Sequence, residues 1–149
     1  MIKSVLVPYD GSNCSKSALS IAGSIAGLVG ARVHGLFVDD IKAYSEIGVG
    51  QLLAASIVGS PAVPSPRSAE VVLKLEEQYE SRLKLLKEEF RLVCTPGMLE
   101  GMFYSRIGDP AREIVEMAKT VDFVVIGHDS GSEFHAGRTS VDLLRTTTR

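Results

Sequence analysis

Apolar positions along this chain fall into short continuous runs that alternate with longer stripes at helical spacing. Ile2 to Pro8 is a run of β-branched residues and Leu, ended by a Pro, an acid and a Gly, the pattern of a strand buried on both faces. A helix follows. Ser12, Asn13 or Ser15 can cap it, Ala18, Ile21, Ala22, Ile25 and Leu28/Val29 recur at helical spacing, and Gly30 stands where a C-terminal stop belongs. Val33 to Val38 reads as a second strand, and so short a return from helix to strand requires a parallel pair with a right-handed crossover. From Ser68 a second helix takes over, with Val72, Leu75, Tyr79, Leu83, Leu86, Phe90 and Val93 three and four residues apart. Glu70 with Lys74 and Glu80 with Lys84 supply favourable i,i+4 pairs on its outer side. Leu99 to Ile107 reads as a third strand, and Asp109 as N-cap with Pro110 at the first helical position opens a third helix. Val121 to Ile126 is the fourth strand, and a short helix near Ser140 to Arg145 closes the pattern.

The stretch from Asp39 to about Pro66 breaks the alternation. It mixes small apolar residues with Pro and Gly and is long for a connection, which predicts a flexible insertion or lid with a short helix near Gln51 to Ile57. Alternating strands and helices otherwise define an α/β protein with a parallel sheet. In such sheets ligands bind outside the carboxyl ends of the strands, where the winding direction reverses. The polar, Gly-rich segments lie at those ends: PYDGS after the first strand, VDD after the second and IGHDSGS after the fourth.

Composition narrows the function classes. A chain of 149 residues suits one domain with a single core, and a net charge of −2 leaves no general electrostatic footprint for nucleic acid or an anionic membrane. An anionic ligand must therefore be held locally. Cys14 and Cys94 are far apart and form no CxxC or Cys/His ligand pattern, which argues against a disulfide framework or a structural zinc site and for free thiols in the cytoplasm. The N-terminal apolar run is too short for a signal peptide, and the sequence has no stretch of about 20 apolar residues that would span a bilayer. His128, Asp129, Glu133 and His135 crowd one loop without a metal-ligand register, so a solvated loop is the plainer reading. His34 alternates with Val33 and is expected to face a helix or a partner. With no G-x-S-x-G elbow and no matched base, nucleophile and electrophile, hydrolase chemistry has no anchor in the sequence.

Two segments carry a resemblance. KSVLVPYDGSNCSKSALSIAGSIA resembles the opening of the universal stress protein (UspA) family, V-P-x-D-G-S followed by a helix with S-x-x-A-L, and GDPAREIVEMAKTVDFVVIGH resembles that family's G-x-P-x-x-x-I segment and its V-x-x-G strand end. The resemblance covers nearly the whole chain. It implies a Rossmann-like, adenine nucleotide alpha hydrolase-like three-layer sandwich with strand order 3-2-1-4-5. The fifth strand is due where the chain ends at Arg149, so the expectation is a shortened chain or a longer product, a tandem copy of the domain being one form of it, that pairs as a homodimer or through that copy.

Many members of the family bind ATP with a loop patterned G-x2-G-x9-G-[ST], and others lack the loop and bind no nucleotide. Gly127 fits its first position; Ser130 stands at the second, with Gly131 beside it. Ser140 falls where the third glycine belongs. Either Thr139-Ser140-Val141 aligns with the closing segment or Gly137-Arg138-Thr139 plays its part. Glycines let a backbone approach phosphate and aim N–H groups at it, and Arg138 with two hydroxyls at a helix start can replace some of those donors. The resemblance thus implies ATP with Mg at a crevice formed by Pro8, Asp10, Gly11, Ser12, Val38, Ile126, Gly127 and His128 together with that loop. A carboxylate is repelled by triphosphate unless it meets sugar hydroxyls or a cation, so Asp10 is expected on ribose or Mg, or simply as a helix cap. The alternative is a nucleotide-free dimerisation module. An ATP-using enzyme ranks last.

Overall fold

A computed structural model of the chain describes residues 1–40, 66–95 and 99–128. The elements are β1 (Ser4–Pro8), α1 (Asn13–Val29), β2 (Arg32–Asp40), α2 (Pro66–Cys94), β3 (Gly101–Gly108), α3 (Pro110–Ala118) and β4 (Phe123–Val124). The four strands form one parallel sheet, as the alternation predicts, in the order β3-β2-β1-β4 that the resemblance implies. The expected insertion between the second strand and the second helix, and the loop and closing helix after His128, lie outside the described residues. Asp39 and Asp40, assigned above to that insertion, instead complete β2, where they pair with Ile107 and Gly108 of β3.

Strand alternation divides the core into two layers. Val5, Val7, Tyr9, Val33 and Phe37 point toward α1 and α2 and meet Ala18, Leu19, Ala22, Ala26, Leu86, Phe90 and Cys94. Leu6 and Leu36 point the other way, onto Ile114 and Met117 of α3. The result is a three-layer α/β sandwich with β1 and β2 at its centre. Complete burial of Phe37, Leu6 and Leu19 contributes about 1.5–3 kcal/mol each.

The helix ends follow the predicted chemistry. Ser12 caps α1 by accepting the Ser15 N–H, Gly30 ends it in the left-handed region at φ 70°, and Asp109 caps α3 with Pro110 in its first turn. The buried stripe of α1 differs from the predicted one. It runs through Ser15, Ala18, Leu19, Ala22 and Ala26, while Ile21 is 55% and Leu28 is 87% exposed. Small side chains let the helix lie close to the sheet, and that close approach, rather than residue hydrophobicity, selects the inner face. On α2 the stripe continues from Leu86 and Phe90 to Cys94 in steps of four, leaving Val93 at the margin near Gly23 of α1. Glu70 and Lys74 form the expected pair at 3.0 Å.

β3 starts and ends slightly later than predicted, and β4 is shorter, although Asp122 and Val125 still donate to Ser4 and Leu6 on either side of it. His34 lies on the α3 side of the sheet, as its alternation requires. It stacks on Tyr104 of β3 at 5.9 Å rather than on a helix. Among the described residues its Nδ1 is buried without a hydrogen-bond partner, and burial, together with the positive charge of Arg32, holds its pKa below the usual histidine value.

Candidate functional site

The winding direction reverses at β1: β2 and β3 lie on one side of it and β4 on the other. The crevice at the carboxyl ends is therefore framed by the loop after β1, the end of β2 and the residues after β4. β1 pairs with β4 through Val5↔Phe123 and Leu6↔Val124, and Val125 continues the ladder by donating to the Leu6 carbonyl at 2.9 Å. Pro8 to Ser12 and Ile126 to His128 thus leave neighbouring strands at the same end of the sheet.

The β1–α1 turn is built from its own polar groups. Asp10 Oδ1 accepts the Ser12 N–H at 3.0 Å, Gly11 takes φ 82°, where a side chain is strained, and Ser12 then caps α1. Asp10 is therefore not the cap itself, as one reading of the sequence had it; it is the acid that sets the capping serine in place. Burial alone pushes its carboxyl up, but bonds from the Ser12 hydroxyl and N–H and from the Ser15 hydroxyl outweigh that and leave the pKa below the ordinary aspartate value. Asp10 is an exposed carboxylate that stays ionised at neutral pH.

Past the end of β1, β2 carries on without that neighbour. The last β1–β2 partners are Pro8 and Leu36, where the Leu36 carbonyl accepts the Tyr9 N–H at 2.8 Å. Backbone groups of alternate residues in a strand point the same way, so Val38 aims its N–H and C=O toward the space that β1 has vacated. Its side chain belongs to the α3 core layer, so the core role and the crevice role fall on different atoms of one residue.

Gly127 closes the other wall. A Cβ there would overlap the backbone carbonyl of Cys14 and crowd the Ser15 N–H in the first turn of α1. The segment after β4 therefore crosses directly over the positive end of a 17-residue helix. Ile126 is partly exposed beside it. Ser130, Gly131, Gly137, Arg138, Thr139, Ser140 and Val141 lie outside the described residues, as do Asp129, Glu133 and His135.

Three residues of α2 reach this site, and nothing in the motif reading pointed to them. Arg82 Nη2 donates to the Asp10 carbonyl at 3.3 Å and its guanidinium lies over the Phe37 ring at 5.1 Å. The Leu86 side chain packs against Gly11. The Tyr9 hydroxyl donates to Glu89 at 2.7 Å, and Lys16 pairs with the same carboxylate at 3.1 Å. Burial and the Glu89 carboxylate push the Tyr9 hydroxyl pKa far up, so it remains a donor throughout the accessible pH range. The polar half of a helical spacing, at 82 and 89 around the apolar 86, was the signal available in the sequence.

Two surface cavities among the described residues, of about 510 and 310 Å³, lie along β3 and not at this crevice. The larger is bordered by Tyr104, Arg106 and Arg112 and the smaller by Phe90, Cys94 and Phe103. Among the described residues no three His, Cys, Asp or Glu side chains cluster as a metal site, and no helix is long and apolar enough to cross a membrane.

A reversal point at the centre of a parallel three-layer sandwich, with V-P-Y-D-G-S at one strand end and I-G-H at its neighbour, defines a Rossmann-like protein of the stress-protein type. The model of the universal stress protein family matches residues 1–57. A universal stress protein of Methanocaldococcus jannaschii is 32% identical over 130 residues, which are 85% of this chain and 65% of that protein. The chain thus spans about two thirds of that relative's length. Among solved structures, the universal stress protein UspA of Lactobacillus plantarum superposes with a TM-score of 0.67 at 20% identity, covering 97% of this chain and 91% of that one. A universal stress protein solved in complex with cAMP gives a TM-score of 0.54 at 18% identity, covering 97% and 89%. The family model and the archaeal relative both indicate the universal stress protein family, and the solved structures share its fold.

Proposed function

We propose that this protein binds an adenine nucleotide, ATP with Mg, at the ends of β1, β2 and β4 and acts as a nucleotide-responsive stress or signalling module rather than a catalyst. The observation that carries this reading is the pairing of β1 with β4, beside a β2 that continues past β1. That arrangement leaves backbone donors and acceptors of Val38 facing a gap flanked by Asp10 and Gly127. An edge with one N–H and one C=O is what a purine's ring nitrogen and exocyclic amine require. The ionised Asp10 carboxylate fits ribose hydroxyls, or a cation whose remaining ligands come from phosphate and water. The first turn of α1 and the backbone around Gly127 favour the anionic tail. The family relative solved with cAMP supports an adenine ligand. The phosphate end rests on Ser130, Gly131 and Gly137 to Val141, by resemblance alone. On the same footing we expect it to pair with a second universal stress protein domain, and from its unpaired cysteine pattern we propose a cytoplasmic location.

Calorimetric titration of the chain with ATP and MgCl2, and separately with cAMP, tests the reading. Saturable heat that weakens in Asp10→Asn is expected. If neither nucleotide gives heat at about 1 mM, where binding free energy has fallen to about −4 kcal/mol, the protein is instead a nucleotide-free interaction module. Steady ATP consumption lost in Asp10→Asn would make it an enzyme.

A further inference from the structure

We infer that Arg82 is a ligand-positioning residue of this crevice: by bridging the β1–α1 turn and β2 it sets the gap that receives the purine and ribose end of the nucleotide. The inference rests on the nucleotide reading above and adds to it a residue from a helix that carries none of the sequence motifs.

Arg82 ties the β1–α1 turn to β2 on the side of the gap opposite Gly127. Its Nη2 donates to the Asp10 carbonyl, and its guanidinium carbon sits 5.1 Å from the centroid of Phe37, the residue immediately before Val38. Tyr79, three residues earlier on α2, stacks on the same ring at 6.1 Å and an interplanar angle of 27°, so Phe37 is held between the helix and the sheet. One turn further on, Leu86 lies against Gly11, and Glu89 then holds the Tyr9 hydroxyl. Residues at 79, 82, 86 and 89 occupy one face of a helix. That face contacts Tyr9, Asp10 and Gly11 of the β1–α1 turn and Phe37, the residue before Val38 in β2.

Among these ties Arg82 is the polar side chain that joins the β1–α1 turn to β2. A planar cation stacked on a ring and bonded to a carbonyl keeps most of its five donors unused, and no ion pair among the described residues engages it. It is exposed, and its bond to Asp10 is long, so it contributes little to global stability. An exposed cation of that kind, joining the turn that carries Asp10 to the strand that carries Val38, acts on the ligand's fit more than on the fold.

Adenosine and ATP with MgCl2 would be titrated into the full chain and into Arg82→Met and Arg82→Lys, with thermal midpoints recorded alongside. Arg82→Met is expected to weaken adenosine and ATP alike, by about three- to tenfold, the scale of one cation–π contact and one hydrogen bond. Its midpoint should stay within about 2 °C of the parent, as for an exposed contact. Arg82→Lys, which keeps a cation and a donor, should recover much of the adenosine affinity and guards against a folding defect peculiar to Met. Unchanged affinity in Arg82→Met overturns the inference and leaves the nucleotide reading intact. A loss confined to ATP overturns it too, because Arg82 would then be a phosphate contact, and so does a loss that tracks a fallen midpoint in both variants. A parent chain that binds neither ligand overturns the nucleotide reading itself, and this inference with it.

Discussion

At Gly127 the chain passes over the first turn of α1 so closely that any side chain would meet backbone rather than a movable rotamer. Backbone atoms of a capped helix cannot give way cheaply, so Gly127→Ala should destabilise the fold by about 1–3 kcal/mol, the usual range for overpacking. Urea denaturation would show this as a lower midpoint with an unchanged slope. A neutral result would mean that the strand end can lift away from the helix. The glycine was legible in the sequence as the first residue of a phosphate loop. Its steric role was not, because the approach of β4 to α1 depends on a pairing more than a hundred residues distant. Asp10 shows the same limit. Its type and place pointed to a binding turn, whereas the bonds that make Ser12 the cap and Asp10 its support required three dimensions.

At the scale of elements, strands and helix caps were readable because each is signalled within a few residues: alternation or a β-branched run, a hydroxyl or acid before a helix, a glycine after it. The inner face of α1 was not. Its sequence offers Ile21 and Leu28 as well as alanines, and only the closeness of sheet packing chooses the alanines. The join between β1 and β4 is likewise a tertiary matter. Asp122 accepts the N–H groups of Lys3 and Ser4 at 2.8 and 3.0 Å, and the Ser4 hydroxyl at 3.0 Å. The Lys3 N–H, followed by the Ser4 hydroxyl, holds its pKa below the usual 3.8. A carboxyl whose folded pKa is depressed adds stability that is present above its unfolded value and is lost as the pH falls below 3.8 through the folded value. Asp122→Asn should therefore melt at a lower temperature than the parent at neutral pH. The two melting curves should converge in acid below that value, as thermal scans across a pH series would show. A difference that persists undiminished in acid would remove the charge from the explanation.

For the molecule as a whole, the order of the sheet and the class of fold followed from alternation and from two family segments, since a parallel βαβ unit leaves few topologies open. Which helix faces complete the crevice did not follow. α2 meets the β1–α1 turn through Arg82, Leu86 and Glu89, and each of these reads in the sequence as an ordinary member of an amphipathic helix. Phe90 on that helix lies in the centre of the α1–α2 layer, 3% exposed and packed on Phe103 at 5.3 Å. Phe90→Ala should cost about 3–5 kcal/mol, measured by chemical denaturation. If the β1–α1 turn depends on α2 as described, that variant should also lose nucleotide affinity, whereas a core change beneath α3 such as Met117→Ala should spare it.

The pairing of β1 with β4 has a temporal consequence. Ser4 and Asp122 are 118 residues apart, so during synthesis the first strand waits for almost the entire described chain before its second neighbour emerges. Contacts across so long a loop carry a high closure entropy and come late in folding. The crevice is therefore completed at the end of assembly, and a nascent or partly folded chain, however much α1 and β2 it has formed, still lacks it.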